Sequence, residues 1–261
     1  MTGFMPFLDR IQAHLPGIDT QQSNWKAILP ETDTSQENWE AATKPRPCMF
    51  GPLEWGSWKW HLVADILGLP MEIRQVVDLA RTDEIAAQAI REHKMSVMVF
   101  LMAAPKEAGV LDRMQALCKV AWALVDAGAD VLIWPVGRSA IHRKWLEPVG
   151  PSAISADQAH LFVSCDFAGA IGDRFWLRTY GMSQFQLPDL ACIAANTPEE
   201  VEAANVLLNS FPRYLIQRQQ PIPVGDTVEC EKWFWKVTES GTFDIPALRS
   251  DFGVQVFTRL A

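Results

Sequence analysis

The chain has 261 residues, 49% hydrophobic and 21% charged, with a formal net charge of -8 and a pI near 5.2. That balance supplies an ordinary buried core and excludes disorder, coiled coil and low-complexity sequence. An acidic chain repels a phosphate backbone, so nucleic acid is not an expected partner, and the basic stretch Arg138, His142, Arg143, Lys144 reads as a solvated face.

Residues 4 to 15 put Phe4, Phe7, Leu8, Ile11 and Leu15 on one helical stripe, which Pro16 and Gly17 end. From about 19 to 50 the chain is polar, with Trp25 and Trp39 as isolated anchors, and predicts an extended surface arm. Residues 51 to 70 concentrate Trp55, Trp58 and Trp60 ahead of an apolar run, and 78 to 93 predict a helix. Ser96 to Ala103 is a continuous β-prone run, Val110 to Ala127 is helical in pattern, Gly128 is a C′ glycine, and Val131 to Trp134 is a second strand. Together these predict a βαβ unit. A short amphipathic helix holding Trp145 is expected between 138 and 150. Strands over 159 to 165 and 173 to 179 flank a turn at Gly169 and Gly172. Thr197, Pro198, Glu199 and Glu200 open a helix running to about 216, and strands near 227 to 237 and 254 to 258 close the chain.

The order predicts an α+β fold: a sheet with helices packed on one face, containing the βαβ unit and ferredoxin-like elements, plus an N-terminal Trp-rich arm. The expected division is 1–93, a helical and extended arm region packed on the main domain, and 94–261, the α+β domain. The five cysteines are far apart, odd in number and without a CxxC pair, which reads as reduced thiols. With no basic leader and no apolar run near the roughly 18 residues that span a bilayer, the expected location is cytoplasmic, without membrane insertion.

Three pieces of the chain together resemble a bacterial family known as domain of unknown function 4261. They are the VMVFLMA strand with its following helix and the strand ending in Trp134-Pro135, the segment RTYGMSQFQLPDL (178–190), and the segment PIPVGDTVEC (221–230) with the closing VQVFTRL strand. The second is similar to the family's Thr-x-Gly-(Leu/Met) turn and the strand after it, and the third to its Gly-Asp-Thr turn after a long helix. The likeness spans roughly residues 94 to 260. The sequence departs from it at Gln186, where Gly is expected, and at Asp189, where Glu is commoner. The resemblance implies a fold and no activity.

Candidate chemistry is sparse. His14, His61, His93, His142 and His160 have no ligand spacing, no GxSxG surrounds Ser164, Ser183 or Ser210, and Cys165 sits on an apolar strand. Glycine-rich phosphate loops are missing from the sequence, so no catalytic residue, metal or cofactor is expected. Arg178, Thr179 and Gly181, facing Asp189, form the densest polar set, with Asp226 in a second turn. Such a set serves either as a turn, with Gly181 at positive φ and Arg178 paired to Asp189, or as ligand contacts. Trp55, Trp58 and Trp60 serve either as anchors of the arm or as a partner surface. The expected function is a non-catalytic cytoplasmic protein-binding module, of the kind an immunity protein or secretion accessory would be, with a basic protein partner. The alternative is an enzyme or small-ligand binder with a cleft near Arg178, Thr179 and Asp189 or Asp226.

Overall fold

A computed structural model describes residues 9, 12, 18–19, 26–28, 48–65, 84–93, 96–146, 162–243 and 250–260. Asp9 and Gln12 are helical; the rest of the helix expected over 4 to 15, and the arm's Trp25 and Trp39, lie outside the described residues. The molecule is α+β. It divides into two compact units, Met1–Gln75 with Asp83–Leu132 and His142–Pro151, and Val76–Thr82 with Ile133–Ile141 and Ser152–Ala261.

The first unit is built on an antiparallel sheet. Strands β3 (Cys48–Trp55) and β4 (Trp58–Asp65) form a hairpin about Gly56, whose φ of 59° is open to glycine at no steric cost. The short strands β1 (Ile18–Asp19) and β2 (Lys26–Ile28) pair with β3, and β5 (Ser96–Ala103) pairs with β4. Alternation along β4 sends Trp60, Leu62 and Ala64 to one face. There they meet Ala116, Val120, Ala123, Leu124 and Ala127 of helix α2 (Val110–Asp126) and its end, closing a core that also holds Leu53. Helix α1 (Glu84–Glu92) precedes β5.

Four expectations change here. The Trp-rich segment is a sheet hairpin with its own core rather than an extended arm, and β5 with α2 falls in this unit rather than beyond a boundary at residue 93. The reason is hydrogen bonding: β5 pairs along its length with β4. The strand β6 (Val131–Trp134) pairs with β7 (Ser139–His142), not with β5, so strand, helix and strand follow in the expected order without forming a parallel βαβ pair. The helix expected from 138 shrinks to α3 (Arg143–Leu146) because β7 takes its first residues.

The second unit carries a six-stranded sheet in the order β11-β12-β13-β10-β9-β8. Its strands are β8 (Ser164–Ile171), β9 (Arg174–Tyr180), β10 (Asp189–Ala195), β11 (Thr227–Cys230), β12 (Trp233–Gly241) and β13 (Val254–Arg259). All neighbours are antiparallel except β10 and β13, which run parallel from Asp189 beside Val254 and are joined through helix α4 (Pro198–Arg218) and the β11–β12 hairpin. α4 starts as its sequence dictates: Thr197 Oγ1 accepts from the Glu200 amide at 3.3 Å and Pro198 fills the first turn. It packs on one face of the sheet, Phe211 meeting Phe257 edge-on at 5.9 Å. Successive strand residues point to opposite faces. Val256, next to Phe257, therefore lies on the other face, where Trp176, Ala191, Val254 and Val256 form a second cluster.

Candidate functional site

Tyr180 ends β9 and Asp189 opens β10; between them Gly181 and a 3-10 turn (Met182–Phe185) reverse the chain. Arg178 and Asp189 are 2% and 3% exposed and meet at 2.6 Å. Thr179 Oγ1 donates to Asp189 at 3.3 Å and accepts from the Leu190 amide at 2.8 Å, while the Met182 amide donates to Asp189 at 3.2 Å. Burial raises the Asp189 carboxyl above its ordinary range and the Arg178 guanidinium pulls it back. A charge pair this deep is tolerated because its spare oxygens and donors are also bonded.

Gly181 is where glycine is required. Its φ is 111°, and a Cβ there would collide with the Phe162 carbonyl and lie 3.0 Å from the Gly137 Cα. A Cβ at Gly137 would strike the same carbonyl. The turn between β6 and β7, closed by the Arg138 amide donating to Pro135 at 3.1 Å, is thereby set against the β9–β10 turn. Trp134 packs edge-on against Phe162 at 4.6 Å, and Gln184 Nε2 donates to the Phe162 carbonyl at 3.2 Å. That clamp brings the Arg138 guanidinium 3.8 Å from the Tyr180 ring centroid, with Arg178 at 4.5 Å from the same ring. Burial pushes the Tyr180 phenol above its usual range, the two arginines opposing it.

These groups line a cleft of about 390 Å³ within the second unit. Its lining combines the polar Arg138, Arg178, Tyr180, Asp189 and the loop residues Ser250 and Asp251 with the apolar Val136, Phe167 and Ala168. Its size falls in the roughly 300–1,000 Å³ of small-molecule sites.

Residues 178–247 match the model of a family described as domain of unknown function (DUF4261). The match runs from Arg178 through β12 and so takes in the buried pair, Gly181 and α4, a shorter span than the sequence resemblance suggested. No curated protein and no solved structure matches the chain.

Of the residues singled out from sequence, Arg178, Thr179, Gly181 and Asp189 come together at the cleft. Asp226 does not: it sits in the turn before β11, at the far edge of the sheet, where its carbonyl accepts from the Val237 amide at 3.0 Å. Trp60 is fully buried and Trp55 and Trp58 pack against the core of the first unit, so Trp60 has no surface to offer a partner. The sequence reading passed over Arg138 as one of a basic stretch. The signal that would have found it is Gly137, a glycine beside an arginine in a two-strand turn.

Among the described residues no three of His, Cys, Asp and Glu stand together as a metal site, and no helix is long and apolar enough to cross a membrane.

Proposed function

We propose that the second unit binds a small molecule in the cleft beside Arg178 and Asp189. The observation that carries this reading is the construction of the site. A buried ion pair, two guanidinium groups over one tyrosine ring and two turns locked by glycines are all gathered under one open concavity. Convergent polar groups beside an apolar wall are what small-molecule sites share. Thermal shift of the full chain against a metabolite library tests it, because a ligand that binds only the folded state raises the melting temperature. At least one class of compound should stabilise the chain; a flat response across the library contradicts the reading.

A second reading, binding of a protein, is favoured by β5. Among the described strands this one pairs with β4 alone; it contains neither charge nor proline, and exposes Phe100, Leu101 and Met102 by 47%, 36% and 58%. Open apolar edges of this kind accept an added strand. The net charge of -8 favours an extended segment of a basic protein. A complex with such a protein at low salt should be lost in Met102→Lys; a complex that survives the substitution, or no complex at low salt, removes this reading.

A further inference from the structure

Resting on the ligand-binding reading of the cleft, we propose that its ligand carries an oxyanion, a carboxylate or a phosphate, on an apolar body, and that Arg138 is the oxyanion's receptor. The two arginines of the cleft differ in one respect. Arg178 has its charge met by Asp189 at 2.6 Å, whereas the Arg138 guanidinium makes no ion pair or hydrogen bond with a described residue. Among the described residues its cation-π partner is the Tyr180 ring, at 3.8 Å. An arginine held by its face keeps its N–H edge free, and that edge matches two oxygens of a carboxylate or phosphate at once.

The group is also held in place before any ligand arrives. Arg138 has a φ of 46°, a left-handed conformation that a residue with a Cβ adopts at a cost. Neighbouring Gly137 fixes the turn against the Phe162 carbonyl. Strain of this kind at a non-glycine residue persists only where the surroundings impose it, and it gathers at binding sites. None of the nearby described carboxylates forms an ion pair with Arg138. Asp189 is committed to Arg178, Asp166 accepts from the Phe167 amide at 2.7 Å, and the exposed Asp251 forms no ion pair with it. Val136 and Phe167, each more than half exposed at the cleft wall, give the apolar body its contacts.

The test is calorimetric titration of the full chain with phenyl phosphate, benzoate and the neutral benzyl alcohol. One or both anions should bind and the alcohol should not, and the stronger anion tells phosphate from carboxylate. Arg138→Gln should weaken the anion by about tenfold or more, as expected for loss of a charge-assisted bidentate contact. Arg138→Lys should fall between the two, and ligand-free melting of both variants shows that they are folded. Equal binding of the alcohol, or an Arg138→Gln chain that binds the anion as the wild type does, overturns the oxyanion and leaves the cleft reading standing. Failure of both anions to bind overturns it as well, and the metabolite screen then decides the cleft alone.

Discussion

Asp189 and Arg178 illustrate how a residue can be required without being stabilising in itself. Taking both charges out of water costs about as much as their attraction returns, whereas removing one partner strands the other. Asp189→Asn should therefore destabilise the chain by about 3–5 kcal/mol in urea melts, and replacing both residues with apolar ones of similar size should recover most of that loss. A loss under about 1 kcal/mol would mean that water reaches Arg178 and that the pair is not closed. Gln186 works in the opposite direction. It closes the 3-10 turn at φ 57°, ψ 33°, the left-handed region, at the position where the family resemblance leads one to expect glycine. Gln186→Gly should stabilise by about 0.5–1 kcal/mol, read as a higher urea midpoint with an unchanged slope. An unchanged midpoint would show that the side chain's contacts offset the backbone strain.

Elements with a single period and clear ends were legible in the sequence, and those whose identity depends on partners were not. β5 and β6 fall where the β-prone runs put them, and α4 begins at the Thr197 cap followed by Pro198. The pairing of those strands was not legible, because a strand's neighbours are chosen by distant residues: β5 finds β4, 31 residues earlier from end to start, and β6 finds β7. The hairpin of β3 and β4 had a local signal that the tryptophans obscured, namely Gly56-Ser57 between strands that alternate apolar and polar residues from Leu53 to Leu62. Half of the site was legible as well, since Arg178, Thr179 and Asp189 lie on two adjoining strands with Gly181 in the turn that joins them, but Arg138 reaches them through a separate turn. Because Trp60 is fully buried against α2, Trp60→Ala should cost about 3–5 kcal/mol. Deleting residues 1 to 60 removes β3 and most of the face that covers α2, and should cause aggregation measurable by light scattering. A soluble truncation with an unchanged melting temperature would show that the hairpin contributes nothing to that core.

Across the whole molecule, stability depends on pH in a way the buried groups set. Burial pushes the thiols of Cys118 and Cys192 well up, whereas thiols in the unfolded chain ionise near pH ~8.5. Between those two values the folded state holds more protons than the unfolded one, so stability falls as pH rises above ~8.5 and is intact below it. Tyr180, also raised, adds to the fall above ~10. Urea melts from pH 7 to 10.5 should show the decline, and a chain with Cys118→Ala and Cys192→Ala should show a shallower one; equal slopes would mean that the thiols are not shielded. The cleft itself is tested most directly by native mass spectrometry of the full chain after incubation with an extract of small metabolites, alongside Ser183→Trp, whose ring would fill the space that Ser183 lines. The cleft predicts one small molecule retained per wild-type chain and none on the variant. A wild-type chain that retains nothing, or a variant that retains the same molecule, would contradict it.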